Sequence, residues 1–510
     1  MSGKHRLVLV LLAVVGVFFV LFGTSRSGVG LTPDSVGYIA TARNLINGFE
    51  AVSWDAKPLV VQPPLYPALL ASVGYFSGYD PLSCARIVNA SLFGLAVYVS
   101  GLLFFTYLNL FPALAMMGTV TVLVSAPLLQ VSMMAWSEPL YILLVLVSLL
   151  LANSYRVTGK STSLLFLAGS VALASMTRYI GIALIPVGVL LIFFSNHGTL
   201  GERASHLLLF LLVSTSPLAA WVVRNYVVSG TLFGPRYPAD TTVLQVLERA
   251  YHFVRTWYIP DALYQRRSLL VCSSATVGFL AGLILKEGDW RRVRSVFLET
   301  SPVILYLLFY AALLIYSSRT VGMDRLNSRL LSPVYVPLNL VLLCFAQSLL
   351  KPIVRGAPSR VVLILLLAGI AVWAPFSARQ GLIEHPVFRR DSSGLYNSMK
   401  WRDSETIRYL QHQPLGSADT VYCNDPYALY ILSGIVAKLS PAKTQYNSPE
   451  PAYTPSELGG LWPDGEKGYL IWFSFVEFGY LYTLEELQTI SGMKQMTKLG
   501  DGAIYIVSKK

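Results

Sequence analysis

Charged residues and cysteines are both scarce in this sequence. Charged side chains make up 13% of the 510 residues, against about 25% in an average soluble domain. Apolar residues make up 54% and the mean hydropathy is +0.56, which excludes a water-soluble globule for most of the chain. The 24 Phe, 29 Tyr and 9 Trp exclude a disordered chain, because so much apolar surface does not stay solvated. These figures indicate a polytopic membrane protein.

Cysteine motifs and compact basic regions are also missing. The four cysteines are scattered and predict neither a disulfide framework nor a zinc site; they are Cys84, Cys272, Cys344 and Cys423. The 39 Lys and Arg exceed the 27 Asp and Glu, for a net charge of +12. These basic residues are spread over short loops instead of one water-facing domain, so nucleic-acid binding is not predicted.

Long apolar runs dominate the first three quarters of the chain. A bilayer core of about 30 Å takes about 20 apolar residues, or somewhat fewer beside a tilted neighbour. Eleven runs fit, near residues 7–23, 86–107, 113–130, 139–154, 162–175, 179–195, 207–224, 269–285, 298–317, 330–350 and 361–378. The first lacks a cleavage site and is predicted to be an uncleaved anchor. Lys and Arg are densest in loops such as 286–297, which predicts a cytoplasmic N-terminus.

The remaining segments predict two domains. Residues 1–378 form the transmembrane domain, with two long outer loops at 24–85 and 225–268. Residues 379–510 lie outside and form a small α/β domain, with predicted helices at 404–413, 426–434 and 484–491 and strands at 419–423, 468–475 and 502–508. The predicted fold class is therefore an α-helical polytopic membrane protein of about 11 spans with a C-terminal α/β soluble domain.

Charged residues are nearly absent inside the apolar runs and collect at their outer ends. An ion-coupled transporter needs ionisable groups at mid-membrane depth, so chemistry at the outer interface fits better than transport. Asp34 opens an amphipathic stretch, predicted to be an interfacial helix ending at Gly48, with Tyr38 and Leu45 on one face. The carboxylate of Asp34 is either a first-turn acid that complements the helix dipole or a general base with a pKa raised by apolar surroundings.

For the other polar and aromatic residues at the outer ends of the apolar runs, the sequence allows two interpretations each. Glu138, before Pro139, is either a capping acid or a second carboxylate for substrate hydroxyls or a metal. Outer arginines either reach toward lipid headgroups or bind a phosphate, for which guanidinium groups are suited. Trp54, Trp136, Trp221 and Trp257 belong to an interfacial belt or offer stacking surfaces for sugars.

Several motifs occur in the order found in one enzyme family. They are Pro33-Asp34-Ser35 with Tyr38 and Gly48, Pro63-Pro64-Leu65-Tyr66-Pro67, Ser137-Glu138-Pro139-Leu140, Arg178, Arg224-Asn225 with Gly230, Arg329-Leu330-Leu331-Ser332-Pro333, and Asn424-Asp425-Pro426 with Leu429-Tyr430. In this order the sequence resembles the C-type membrane glycosyltransferases that use polyprenyl-phosphate sugars. The resemblance is to the bacterial branch related to protein O-mannosyltransferases and lipid A aminoarabinose transferases.

The resemblance implies roles for individual residues. In this family the acid after the first span activates the acceptor, a role that falls on Asp34, and the acid of the second outer loop corresponds to Glu138. The aminoarabinose branch typically carries Lys before the Pro-Pro turn, where this chain has Gln62, which shifts phosphate binding toward the arginines. Predicted catalytic residues are Asp34 and Glu138; predicted substrate-binding residues are Tyr38, Arg43, Gln62, Tyr66, Arg178, Arg224, Asn225, Arg236 and Arg329.

The predicted function is transfer of a sugar from a polyprenyl-phosphate donor to an acceptor hydroxyl on a glycan, lipid or protein, with inversion. The predicted location is the outer face of a bacterial cytoplasmic membrane. No cofactor is predicted, and the two acids leave a divalent metal open as an alternative. Two alternatives stay open, a flippase or other transporter of lipid-linked glycans, and a ligase or polymerase of whole glycans.

Overall fold

The structure, a computed structural model, describes residues 1–48, 50–259, 290–322, 324–353, 369–370, 373–389, 395–413, 415 and 420–510. The N-terminal helices are α1 (Gly3–Gly23), α2 (Pro33–Gly48), α3 (Leu65–Ser77), α4 (Pro81–Tyr107), α5 (Pro112–Leu123), α6 (Ala126–Ser132), α7 (Glu138–Thr158), α8 (Ser161–Thr177), α9 (Leu184–Phe193), α10 (Leu200–Ser229) and α11 (Val243–Tyr258). A 3₁₀ turn, Tyr179–Ala183, precedes α9.

The chain continues with α12 (Trp290–Glu299), α13 (Ser301–Thr320), α14 (Ser328–Leu331), a 3₁₀ turn (Ser332–Val334) and α15 (Tyr335–Ile353). Residues 373–382 are also helical. The C-terminal part contains α16 (Pro386–Arg389), α17 (Met399–Arg402), α18 (Glu405–His412), β1 (Thr420–Cys423), α19 (Pro426–Ser433), β2 (Lys438–Leu439), α20 (Pro455–Leu461), β3 (Lys467–Phe473), α21 (Leu484–Ile490), β4 (Gly492–Leu499) and β5 (Gly502–Ser508).

Six helices among the described residues are long and apolar enough to span a membrane: α1, α4, α7, α10, α13 and the continuous segment Ser328–Ser348. A seventh span is formed if α5 and α6, which meet at 46°, count as one broken helix. The predicted spans at 162–175 and 179–195 correspond to the shorter apolar helices α8 and α9. The predicted span at 269–285 and most of that at 361–378 lie outside the described residues. The structure therefore shows a multi-pass helical membrane protein without confirming eleven spans.

Helix α2 begins and ends where the sequence predicts, but its surroundings differ from the prediction. An interfacial helix would bury one face only. Here every residue from Ser35 to Ala42 is buried, because α3 packs against one side of α2 and α19 of the C-terminal part against another. Apolar side chains of α2, such as Ile39, share a core with Trp401 and Phe473 of the C-terminal part.

The C-terminal part contains a five-stranded mixed sheet in the order β2-β1-β3-β5-β4. Strand β1 pairs in parallel with β2 and β3, and β5 pairs antiparallel with β3 and β4. The predicted strands coincide with β1, β3 and β5 and the predicted helices with α18, α19 and α21. The sequence analysis missed β2, β4 and α20. The side chain of Asn397, just before these elements, donates to Ser27 O and Val29 O and fixes this part to the segment before α2.

Candidate active site

Two segments that precede helices are paired by main-chain hydrogen bonds. Gly30 N donates to Met133 O at 2.8 Å, and Ala135 N donates to Gly30 O at 2.9 Å. A side chain at position 30 would be crowded, since an added Cβ would lie 2.7 Å from Val387 Cγ2. This bridge brings the first turn of α2, which carries Asp34, beside the first turn of α7, which carries Glu138.

Arg178 lies between two helical elements, and Arg329 lies in the first turn of the segment Ser328–Ser348. Helix α8 ends at Thr177, and Arg178 adopts an extended backbone with φ −148° and ψ 134°. The chain then turns back so closely that a Cβ on Gly181 would lie 2.6 Å from the carbonyl carbon of Ala174. Arg329 lies in α14, where the side chain of Asn327 accepts from Leu330 N at 3.1 Å and caps the helix.

These four charged side chains meet in one group, which we name the carboxylate–arginine cluster: Asp34, Glu138, Arg178 and Arg329. Arg329 Nη2 donates to Asp34 Oδ2 at 2.6 Å, and its Nε donates to Glu138 Oε1 at 2.5 Å. Arg178 Nη1 donates to the same Oε1 of Glu138 at 2.6 Å. The cluster holds two positive and two negative groups, so its formal charge is zero.

Burial differs sharply across the cluster. The side chain of Glu138 is 1% exposed and that of Arg329 is 12% exposed, whereas that of Asp34 is 38% exposed. Among the described residues, no group hydrogen-bonds the buried Oε2 of Glu138. A buried carboxylate is stable only when it is paired, so Glu138 anchors the two arginines. Asp34 is the carboxylate that a ligand can reach.

The pKa of Asp34 is lowered, contrary to the predicted rise toward neutrality. Burial acts to raise this pKa, as the sequence analysis expected. The nearby charges of Arg329 and Arg178, together with the hydrogen bonds from Arg329 and Gln62, outweigh burial. Without a ligand, Asp34 is therefore ionised and held by its partners. Burial raises the pKa of the neighbouring Tyr38 hydroxyl, helped by the negative charge of Asp34.

Two predicted residues extend the cluster through neutral hydrogen bonds. Gln62 Nε2 donates to Asp34 Oδ1 at 2.9 Å, so both oxygens of this carboxylate accept from other segments. Asp34 is thus an acid in the first turn of α2 whose side chain also joins two distant segments. The Tyr38 hydroxyl lies 2.9 Å from Ser137 Oγ, which also accepts from Arg178 Nη1 at 3.2 Å.

Trp136 supports Arg329 from one side. The guanidinium carbon of Arg329 lies 4.0 Å from the centroid of the Trp136 ring. The indole Nε1 of Trp136 donates to Thr32 Oγ1 at 2.8 Å, which fixes the ring beside the start of α2. This tryptophan therefore orients a charged residue through a cation–π contact and is more than a member of an interfacial belt.

A second group of predicted residues surrounds the first long loop. Arg224 Nη1 donates to Leu59 O at 2.6 Å and its Nη2 donates to Ala51 O at 3.2 Å. Asn225 Nδ2 donates to the Tyr179 hydroxyl at 3.1 Å and to Leu232 O at 3.1 Å. Arg236 Nη2 donates to Val61 O at 3.4 Å. Arg224 and Arg236 thus hold the loop that leads to Gln62, and Asn225 supports it through Tyr179, which donates to Val60 O. None of the three joins the cluster.

The other two predicted residues lie away from the cluster charges. Arg43 forms a two-pronged ion pair with Asp80, at 2.8 and 3.0 Å. The Tyr66 hydroxyl is buried and donates to Asn89 Oδ1 at 3.0 Å. The Tyr66 ring meets the Tyr38 ring edge to face, and the two ring centroids lie 5.1 Å apart. Tyr66 thus supports the site through packing, while Arg43 joins α2 to the start of α4.

The residues that could hold a metal are limited. Over the described ranges, no group of three or more His, Cys, Asp and Glu side chains lies close enough to bind one. Asp34 and Glu138 form the acidic pair of the site, and each already accepts from a guanidinium group. The chemistry that this arrangement offers is a reachable carboxylate beside two cations that can bind an anion.

Comparisons with solved structures show which known folds this chain resembles. The chain is similar to ArnT from Cupriavidus metallidurans, in the apo state and bound to undecaprenyl phosphate, with a TM-score of 0.61 and 14% identity over 99% of this chain and 98% of that one. The chain therefore shares its fold with these ArnT structures. No family model and no curated protein matches the sequence.

Two larger proteins share this fold. The arabinofuranosyltransferase AftD from Mycobacteria matches with a TM-score of 0.54 and 16% identity, over 100% of this chain and 40% of that one. An Archaeoglobus fulgidus oligosaccharyltransferase tethered to an acceptor peptide matches with a TM-score of 0.51 and 13% identity, over 92% of this chain and 69% of that one. At these identities the similarity establishes the fold and not the substrates.

Three residues that contact the cluster or the first long loop were not among the predicted site residues. Tyr179 donates to Val60 O at 2.7 Å and accepts from Trp221, so it holds the first long loop. Tyr427 of α19 packs against Trp54, with ring centroids 5.0 Å apart. Ser137 bridges Tyr38 and Arg178. Tyr179 directly follows Arg178 in sequence, which is a usable signal, whereas nothing in the spacing of Tyr427 connects it to residue 54.

Proposed function

We propose that the protein transfers a sugar from a polyprenyl-phosphate donor to an acceptor hydroxyl, with Asp34 as the general base. The observation that carries this proposal is the carboxylate–arginine cluster, in which the partly exposed Asp34 carboxylate lies beside two arginines. A base must be reachable by the acceptor, and the leaving phosphate needs cations close to the same point. The C-type fold provides the context in which such a site performs glycosyl transfer.

The donor phosphate competes with the carboxylates for the arginines. A polyprenyl-phosphate sugar carries one negative charge, and guanidinium groups bind phosphate oxygens well. As Arg329 turns toward that phosphate, Asp34 loses the partner that most lowers its pKa. Burial then favours the protonated form of Asp34, so its basicity increases when the donor is bound. Asp34 therefore acts as a base only after the bound donor has drawn Arg329 away from it.

The chemical step is a single displacement with inversion. The acceptor oxygen forms a bond to the anomeric carbon as the bond from that carbon to the phosphate oxygen breaks. The electron pair leaves with the polyprenyl phosphate, and the hydroxyl proton passes to an Asp34 oxygen. Arg178 and Arg329 stabilise the phosphate, and Glu138, which is buried, positions both arginines. Glu138 is thus a positioning residue in this proposal and not a second catalytic acid.

The site is proposed to face the outside of a bacterial cytoplasmic membrane, with the N-terminus in the cytoplasm. The distribution of Lys and Arg over the loops supports this orientation. The donor lipid would lie between helices with its phosphate at the cluster, and residues 379–510 would form a domain on the same side. The acceptor is a glycan, glycolipid or protein.

The test is donor consumption by the purified, reconstituted protein. Undecaprenyl-phosphate sugars are supplied in lipid nanodiscs, and the release of undecaprenyl phosphate is followed by mass spectrometry. We expect release that depends on an added acceptor and that is lost in Asp34→Asn. Asp80→Asn is the matched control, because Asp80 also pairs with an arginine of α2, Arg43, but lies outside the cluster. Equal turnover by Asp34→Asn and the unmodified protein would reject the proposal.

The alternative function that is not enzymatic is transport of lipid-linked glycans. Such a protein would move the labelled donor between leaflets without consuming it, so the same assay separates the two functions. A ligase or polymerase would consume the donor but transfer a whole glycan. The mass of the product identifies that outcome.

A further inference from the structure

A cleft in the C-terminal part lies apart from the carboxylate–arginine cluster. It has a volume of about 720 Å³ and lies between one face of the sheet and the segment 476–485. Its aromatic lining includes Trp472, Phe478, Tyr482 and Tyr505, and its polar lining includes Gln495 and Lys498. The proposed transfer chemistry uses none of these residues.

The register of the sheet explains how the floor of the cleft forms. Trp472 of β3 is paired with Ala503 of β5, which is paired with Lys498 of β4. Paired residues on adjacent strands point to the same face of a sheet. The small side chain of Ala503 therefore leaves space between the indole of Trp472 and the amine of Lys498. Gln495 lies next along that face, opposite Tyr505.

The character of the lining limits the class of ligand. Two lysines, Lys443 and Lys498, and two glutamates, Glu477 and Glu485, line the cleft, so their charges balance. A polyanion or a polycation would find no excess of opposite charge. A sugar ring presents C–H groups that pack on aromatic faces and hydroxyls that bond to amide, amine and carboxylate groups. The cleft is lined by aromatic rings, hydrogen-bond donors and hydrogen-bond acceptors, and a neutral saccharide needs all three.

Continuous contacts link the cleft to the proposed active site. Asn424 lines the cleft, and its side chain donates to Phe473 O at 2.9 Å and to Val476 O at 3.1 Å, which fixes the adjoining segment. Three residues further along the chain, Tyr427 packs against Trp54 of the first long loop. Helix α19, which carries Tyr427, contacts α2, which carries Asp34. A chain of packed residues thus connects the cleft to the helix that carries Asp34.

We propose that this cleft binds a neutral saccharide portion of the acceptor, so that the acceptor is a glycan or glycolipid and not a bare protein. This inference rests on the proposed glycosyl transfer but concerns a separate site. Trp472 supplies the stacking surface, and Gln495 and Lys498 supply hydrogen bonds to sugar hydroxyls.

The experiment measures binding of the full-length protein in nanodiscs to an array of neutral oligosaccharides built from hexoses, N-acetylhexosamines and pentoses. Asp34→Asn serves as the background, so no transfer alters the bound glycans. We expect at least one class of neutral glycan to bind. Replacing both Gln495 and Lys498 with Ala removes two hydrogen bonds and weakens that binding by about tenfold. Trp472→Ala abolishes it.

The matched control is Lys494→Ala. Lys494 is an exposed lysine of the same strand, β4, but it is paired with Ile506 and points to the other face of the sheet. This variant should bind as the background does. The double variant replaces exposed side chains, so it remains informative if Trp472→Ala does not fold. Absence of binding to all neutral glycans, binding only to anionic glycans, or equal binding by the double variant and the background would overturn the proposal.

Donor consumption is measured separately on the protein with an unaltered cleft, without the Asp34 change and with a short synthetic acceptor. Consumption without array binding would reject the cleft as a saccharide site and leave the proposed transfer intact. Array binding without consumption would reject the transfer.

Discussion

Arg329 Nη2 lies 2.6 Å from Asp34 Oδ2, although the two residues are 295 positions apart in the chain. The Nε of the same guanidinium group donates to Glu138. One cation therefore holds the reachable carboxylate and the buried carboxylate together. Because of this shared partner, a change at any of the three side chains alters the charge balance at the other two.

Asp34→Asn is expected to lower turnover by a factor of about 10² to 10⁴, the usual contribution of a general base. The amide keeps the size of the side chain, and its oxygen can still accept from Arg329, so folding and donor binding persist. Single-turnover kinetics with saturating donor measure the effect. Asp80→Asn should keep nearly full turnover, and a comparable loss in that control would point to an effect on α2 instead of on the base.

Glu138→Ala is expected to lower the stability of the protein by about 3 kcal/mol, because two largely buried arginines lose their shared partner. Denaturant titration in detergent micelles measures this change. The comparison variant is Asp464→Ala, whose pair with Lys438 is exposed to solvent and contributes little. Similar stability of the Glu138 variant and the native protein would contradict its role as the anchor of the cluster.

Arg329→Gln is expected to move the acidic limb of kcat/KM to higher pH. In the native protein the pKa of Asp34 is lowered from its usual 3.8, so its ionisation does not limit activity near neutral pH. Loss of Arg329 removes the strongest charge that favours the carboxylate, and burial then raises the pKa. The protonated fraction at mildly acidic pH increases, and activity falls there. The residual activity of the variant is measured from pH 5 to 8; an unchanged profile would show that Asp34 does not titrate in the free enzyme.

Asp425→Asn is expected to stabilise the protein at neutral pH. Burial raises the pKa of Asp425 from 3.8 to about 6, so the native state binds more protons than the unfolded state between these values. The stability of the native protein therefore falls as pH rises from about 4 to 6. At pH 7 the buried charge costs about 2 to 3 kcal/mol, which the Asn variant avoids.

The hydrogen bonds of Asp425 support the choice of Asn. Its Oδ1 accepts from the Tyr396 hydroxyl at 3.0 Å and from Ala428 N at 3.1 Å, and the amide oxygen of Asn can accept both. Thermal unfolding of the full-length protein at pH 4 and pH 7 measures the effect. The variant should show a smaller difference between the two pH values than the native protein, and reduced stability at pH 7 would contradict the prediction.

Short sequence patterns were sufficient to predict several helices and strands. The start of α2 at Pro33 and its end at Gly48 follow from a proline at the first helical position and a closing Asn-Gly pair. Strand β3 follows from a short apolar segment between turn residues. Strand β4 was missed because it is half exposed and rich in polar residues, so its place in the sheet depends on its pairing with β5.

The arginines show where reasoning from sequence was insufficient. Position and residue type alone predict a substrate-binding role equally for Arg178, Arg224, Arg236 and Arg329. The structure brings Arg178 and Arg329 to the acids, while Arg224 and Arg236 donate to main-chain carbonyls of the first long loop. A guanidinium group can bind either kind of acceptor, so only the folded chain decides between them.

The sequence by itself determined that this is a membrane protein, that α2 begins beside Asp34, and that acids and arginines gather at the ends of apolar helices. These features depend on hydropathy, periodicity and local capping, which act over a few residues. Only the tertiary structure decided that Asp34 and Glu138 share Arg329 and that the pKa of Asp34 is lowered. Charge pairing and burial depend on the neighbours that packing supplies, and those neighbours come from distant parts of the chain.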